Sequence, residues 1–155
     1  MKDKLPPITL EPIGKIWTGF ESPEQCPRNS RFNKGESVLE VNPAYADAFV
    51  GLEEGQYIAV LYWFDKADRS KLQTIPPNAD RPYGVFATRS PHRPNPIALS
   101  TVRIITIKDT RLTVSGLDCV DGTPLLDIKI YIPMVDAPEE ATNKLPWHRK
   151  QADQP

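Results

Sequence analysis

Between Tyr83 and Leu99 the chain reads YGVFATRSPHRPNPIAL. Residues 89–96 set two guanidiniums (Arg89, Arg93), an imidazole (His92), a hydroxyl (Ser90) and an amide (Asn95) among three prolines. Proline fixes its own φ and pushes the residue before it toward extended geometry. Ser90, Arg93 and Asn95 each precede one. The result is a stiff loop of hydrogen-bond donors, suited to a ligand rich in acceptors such as a carboxylate, a phosphate or a base edge. A plain surface loop whose arginines pair with acids would have the same residues.

Two more loops hold polar groups of this kind. Residues 26–31 read CPRNSR, and residues 116–124 read GLDCVDGTP, with Asp121-Gly122 a strong turn signal. In a small barrel, loops at one end converge. A pocket lined by Arg28, Asn29, Arg89, Asp118 and Asp121 would hold charges of both signs. That suits a zwitterion with ribose hydroxyls better than a simple anion.

Other chemistries find no support. The chain has no G-x-G-x-x-G after a strand, no Walker A loop, no G-x-S-x-G elbow and no H-E-x-x-H. Ser90 and His92, two positions apart, do not make a triad. Cys26 and Cys119 are far apart, and no metal-ligand spacing links them to His92 or His148. Free thiols and no metal are the expectation. A net charge of −1 is not the footprint of bulk electrostatic binding to nucleic acid, although a local basic patch remains compatible with it.

The elements that must position these loops are short strands. Seventeen prolines in 155 residues, with many β-prone runs, describe strands with stiff connections and not a helical bundle. Residues 8–17 predict one or two short strands bent at Pro12. Residues 18–35 form a long polar loop, and residues 37–41 a strand. Asn42 and Pro43 open a turn or two of helix to residue 49. Residues 56–64, QYIAVLYWF, predict a central strand covered on both sides or lining a closed barrel. Residues 65–81 are charged, then proline-rich. Residues 83–88 predict a strand. Residues 97–108 and 111–115 form a hairpin, turning at 108–110. In the last strand Leu126, Ile128, Ile130 and Ile132 mark one face. Asp127, Lys129 and Tyr131 mark the other, either a solvated face or a pocket wall. About seven strands and at most one or two short helices predict an all-β fold, a small antiparallel β-barrel.

One domain is expected over residues 1–155, with its core at about 11–134 and a tail over 135–155 that docks loosely or reaches a neighbouring subunit. No apolar run approaches the length of a membrane span, and the first residues lack the apolar core of a signal peptide. The expected compartment is the cytoplasm.

At these same loops the sequence resembles a known family. GVFATRSPHRPNPIALS and GLDCVDGTPLLDIKIYIP, with IGKIW, CPRN and ADAFVGLEEG…IAVLYWF upstream, resemble the TsaA-like (YaeB-like) proteins over residues 11–134. The resemblance implies a non-Rossmann β-barrel methyltransferase that uses S-adenosyl-L-methionine and works as a homodimer with the cofactor near the interface. It implies methylation of the exocyclic amine of threonylcarbamoyl-modified adenosine next to the anticodon of threonine tRNA.

The resemblance also implies roles for residues. Cofactor positions fall on Pro27, Arg28, Asn29, Arg89, Leu99, Asp118, Asp121, Gly122 and Thr123, and on Asp65 and Lys66 where the family often has a His-Gln pair. Trp17-Thr18-Gly19 replaces an Arg-Ser-Pro run, and Ile130 a proline. From loop and strand-face position alone, His92, Arg93, Asn95 and Lys129 are candidates for contact with the tRNA. Asp127, as proton acceptor, and Tyr131 are candidate catalytic residues. Two alternatives stand beside this: a module that binds S-adenosylmethionine or a nucleotide without methyl transfer, and a methyltransferase on another substrate.

Overall fold

A computed structural model describes residues 4–141. In chain order its strands are β1 (Gly14–Trp17), β2 (Glu36–Val41), β3 (Tyr57–Trp63), β4 (Gln73–Thr74), β5 (Tyr83–Gly84), β6 (Ile97–Lys108), β7 (Arg111–Ser115) and β8 (Thr123–Ile130). Six of them close into an antiparallel barrel in the order β1-β2-β7-β6-β3-β8, with β1 pairing β8 to complete the ring. β4 and β5 form a separate two-stranded ladder. The helical content is short 3₁₀ turns and one four-residue helix, α1 (Pro133–Asp136). The expected all-β barrel is what the chain forms.

Period-2 alternation sets the wall. Along β6, Ala98, Ser100, Val102 and Ile104 face inward, while Ile97, Leu99, Thr101 and Arg103 face outward. Along β3, Ile58, Val60 and Tyr62 are buried. β1, β2, β7 and β8 complete the core with Ile16, Leu39, Leu112, Val114 and Leu125. Each such side chain stabilises the fold by roughly 1.5–3 kcal/mol relative to exposure. β1 approaches β2 closely at Gly14, where an added Cβ would lie 2.0 Å from the Glu40 carbonyl oxygen.

The structure corrects four expectations. Residues 8–12 are not strand; pairing starts at Gly14, past the last of the N-terminal prolines. Residues 42–49 form a 3₁₀ segment, Pro43–Phe49, capped by Asn42, whose Oδ1 accepts from Ala44 N at 3.0 Å. Residues 83–88 do not continue as a strand. β5 has two residues, and Val85–Ala87 is a 3₁₀ turn whose Val85 and Thr88 carbonyls accept from the Arg93 guanidinium. Finally, β8 does not keep one phase. Leu125 pairs with Tyr62, but Asp127 pairs with Leu61 and Ile128 with Val60, so the register steps at Leu126. This bulge turns both Leu125 and Ile128 toward the core. Ile130 and Ile132 lie exposed at the far rim. The tail's Trp147 and His148 lie outside the described residues.

Candidate functional site

Strand direction fixes which loops meet. Trp17 at the end of β1 pairs with Val38 near the start of β2, and Glu36 pairs with Ser115 at the end of β7. Trp63 at the end of β3 pairs with Ile97 at the start of β6, and Ile16 pairs with Thr123 at the start of β8. The connections over 18–35, 64–96 and 116–122 therefore all leave from one mouth of the barrel. The three polar loops of the sequence share that mouth.

Hydrogen bonds stitch the first loop to the third. Asp121 Oδ1 accepts from Thr18 N at 2.6 Å and from Gly19 N at 2.8 Å, while Asp121 N donates to Phe20 O. Thr18 Oγ1 donates to Cys119 O, and Asn33 Nδ2 to Leu117 O at 2.7 Å. Asn33 lies so close to Gly116 that an added Cβ there would meet its amide at 2.2–2.6 Å. Gly122, at φ +78°, turns the chain into β8 and donates its N–H to Ile16 O. Thr123 is buried, and its hydroxyl donates to Val120 O. Asp121, Gly122 and Thr123 thus build the turn itself.

Asp118 is the centre of the mouth. It is partly buried, and the buried Tyr62 hydroxyl donates to its Oδ1. That hydroxyl also lies 2.9 Å from Ser100 Oγ. Burial raises the Asp118 carboxyl above the usual carboxylate range; the Tyr62 hydrogen bond, the Arg89 charge and the Ser30 main chain oppose the rise. Burial, then the Asp118 charge, push the Tyr62 phenol far upward, so it stays protonated and is a donor at any working pH. Burial likewise pushes the Cys119 thiol up to about 12, and burial and the nearby acids Asp118, Glu24 and Asp121 raise Cys26. Both cysteines are free thiols, and neither is a thiolate nucleophile at neutral pH.

Arg89 is exposed, and its Nη2 donates to Leu99 O at 2.6 Å, which anchors the guanidinium at the mouth. Arg28 is exposed and makes no hydrogen bond among the described residues, so it is free to take a ligand. Asn29 is committed: its Oδ1 accepts from Arg31 N and caps the Ser30–Phe32 turn. Pro27 is half-buried beside them. Asp65 and Lys66 are exposed on the connection after β3, with the Lys66 charge acting on Cys26 and Glu24.

The donor-rich loop is held from two sides. The Arg93 guanidinium turns inward to the Val85 and Thr88 carbonyls. His92 Nδ1 accepts from Asp68 N at 2.9 Å. Arg69 lies over the Trp63 ring and donates to Pro94 O and Asn95 Oδ1. Arg93 and Asn95 therefore spend polar capacity on locking the loop.

Asp127, Lys129 and Tyr131 do not join the mouth within one copy. The bulge at Leu126 puts Asp127 and Lys129 on the outer wall opposite Leu61 and Ala59, and they pair with each other at 2.8 Å. The hydrogen bond to Asp127 raises the Lys129 ammonium above its ordinary range. Tyr131 N donates to Tyr57 O at the opposite end of β3. Trp63 is six residue steps along the strand from Tyr57, about 20 Å at the usual rise.

Tyr62, Ser100 and Asn33 are the mouth residues that the loop motifs do not point to. A signal for two of them exists. Tyr62 and Ser100 occupy inward positions in aliphatic strands, and a buried phenol needs a partner.

The model of the tRNA-methyltransferase O N-terminal domain family matches residues 15–137. The chain belongs to the tRNA-methyltransferase O N-terminal domain family. An S-adenosyl-L-methionine-binding protein of Archaeoglobus fulgidus is 42% identical over 139 residues, which cover 90% of this chain and 100% of that one. A crystal structure of TrmO from Pseudomonas aeruginosa superposes with a TM-score of 0.72 at 36% identity, covering 88% of this chain and 62% of that one. A further TrmO crystal structure gives 0.74 at 38% identity, with 91% and 63% covered. This family member thus spans under two-thirds of the length of those TrmO chains. No helix among its described residues is long and apolar enough to cross a membrane, and no group of three or more potential ligands among them could hold a metal ion.

Proposed function

We propose that this chain transfers a methyl group from S-adenosylmethionine to tRNA, at the exocyclic amine of threonylcarbamoyl-modified adenosine beside the anticodon of threonine tRNA. The observation that carries the reading is the mouth, where the Arg89 charge acts on the partly buried Asp118 and Arg28 lies exposed on the loop whose Cys26 and Ser30 neighbour that carboxylate. That donor set fits the cofactor: cations for its carboxylate, a carboxylate for its hydroxyl or ammonium groups. Asn29, Pro27, Asp65, Lys66, Leu99, Asp121, Gly122 and Thr123 complete the proposed cofactor shell, several of them by shaping its loops.

When bound, S-adenosylmethionine supplies a methyl already activated by the sulfonium. The chain's task is alignment, because an adenine amine has its lone pair drawn into the ring and attacks only when held in line. Arg89, fixed by Leu99 O, and Arg28 orient the donor. Asp127 takes the proton that the amine loses, and Tyr131 and Lys129 face the target nucleotide. Asp127 and Lys129 belong to the outer wall and Tyr131 to the far end of β3, so they reach a mouth only across a subunit interface. We place a homodimer contact on that wall, where Ile97, Leu99 and Tyr57 are exposed beside them. His92, Arg93 and Asn95 present the stiff loop to the RNA. A cytoplasmic location follows from a tRNA substrate.

The test is tritiated methyl transfer from S-adenosylmethionine to tRNA with and without the threonylcarbamoyl modification. Label confined to modified threonine tRNA is expected. Label in unmodified tRNA, or in another RNA only, would replace the substrate. The name of the Archaeoglobus relative favours one other reading, a module that binds S-adenosylmethionine without transferring its methyl. Tight binding with no label in any tRNA would establish it.

A further inference from the structure

Tyr62 and Ser100 have no part in the proposed chemistry, yet they hold a specific arrangement. Ser100 sits on β6 opposite Val60 of β3, and Tyr62 lies two residues further along β3. Both are buried: Tyr62 is 1% and Ser100 8% exposed. Their oxygens are 2.9 Å apart, and the Tyr62 hydroxyl also reaches Asp118 Oδ1. A phenol has one proton. The Tyr62 hydroxyl donates it to Asp118 Oδ1, so Ser100 donates to the phenol oxygen. The hydrogen bonds therefore run in one direction, Ser100 to Tyr62 to Asp118, and each polarises the next.

We propose that Tyr62 is a positioning residue, which with Ser100 behind it fixes the Asp118 carboxylate so that its other oxygen receives an N–H or O–H donor of the bound methyl donor. This rests on the reading of the mouth as a cofactor site. A carboxylate in this setting loses solvation and resists ionising. Its surroundings decide whether it can stay charged. Tyr62 faces it from β3, Arg89 from the loop before β6, Cys26 from the first loop, and Cys119 is its chain neighbour. Both thiols are neutral at working pH, so Tyr62, the main-chain groups of Asp118 itself and Ser30, and the Arg89 charge are what favour the carboxylate, with the Tyr62 hydroxyl first among them. The aromatic ring itself is packed edge-on to Phe64, with centroids 5.4 Å apart, so Tyr62→Phe keeps the ring in place and removes only the hydroxyl.

The experiment is calorimetric titration of S-adenosylmethionine into the full chain between pH 5 and 8, with thermal midpoints recorded alongside. Wild type is expected to bind, with affinity falling at the acid end as Asp118 protonates. Tyr62→Phe removes a bond that favours the carboxylate, so the acid limb should move up by about one pH unit. Affinity at pH 7 should fall roughly threefold to tenfold. Ser100→Ala should move the limb the same way by less, and Asp118→Asn should bind weakly with no acid limb. A uniform loss of affinity at every pH in Tyr62→Phe, or an unmoved limb in both Tyr62→Phe and Ser100→Ala, overturns the positioning role while leaving the cofactor site standing. Absence of wild-type binding at any pH overturns the site and the role together.

Discussion

The mouth of the barrel and its outer wall over β8, β3 and β6 are built from the same strands and behave as opposites. At the mouth, polar groups are tied by bonds between distant segments. Thr18 meets Asp121, Asn33 meets Leu117, and Tyr62 meets Asp118. On the wall, Asp127 and Lys129 pair two positions apart in the open, beside exposed Leu99 and Ile97. A buried polar group with few partners is costly to disturb, whereas an exposed pair in water is worth little. The difference separates a place that must be pre-organised in one copy from a place that gains meaning only when something covers it.

The sharpest way to break this comparison is at Asp118 and Arg89. Alanine at either position should weaken S-adenosylmethionine binding roughly 10- to 100-fold, the scale of a lost hydrogen bond to a charged group. Titration calorimetry measures it, and wild-type affinity in both variants would remove the mouth from cofactor binding. Gly14→Ala comes next and acts on the fold alone. Its Cβ would strike the Glu40 carbonyl, and a cost of about 3 kcal/mol is expected in urea unfolding, the upper range for overpacking.

On the wall, Leu99→Glu combined with Ile97→Glu should convert the proposed dimer into a monomer in light scattering. Urea unfolding should show the barrel still folded, because both side chains point outward. Unchanged mass would move the subunit contact elsewhere. A smaller effect is expected at the loop staple: Asp121→Ala should cost about 1 kcal/mol of stability, since the Thr18 and Gly19 N–H groups can turn to water. Smallest is Lys129→Ala, for which no measurable change in thermal midpoint is expected, because the pair it breaks is exposed. If it lowers methyl transfer while stability holds, the wall contributes to the reaction.

Much of the barrel is legible in the sequence because alternation is a local signal. Residues 111–115 carry it over their full length and residues 97–108 are a long β-prone run, and β6 and β7 have those bounds. The misreadings fall where distant partners decide. Residues 85–87 are β-prone, but the Arg93 guanidinium claims the carbonyls on either side and bends them into a turn. The bulge at Leu126 depends on matching β8 to β3, which no single strand reveals. The same division holds at the site. Arg89, Asp118 and Asp121 stand out in polar loops, but Tyr62 and Ser100 are hidden inside apolar runs. That they serve the mouth emerges only when β3 and β6 bring them under Asp118.

The staple between Thr18 and Asp121 has a kinetic consequence. It joins residues 103 positions apart, and it sits where β1 closes the ring against β8. Contacts of such long sequence separation require a large loop-closure entropy before they form. The ring must therefore close before the mouth takes shape, and the ligand site should be among the last parts to appear during refolding. Stopped-flow refolding would then show the tryptophan signal of the barrel rising ahead of the capacity to bind S-adenosylmethionine.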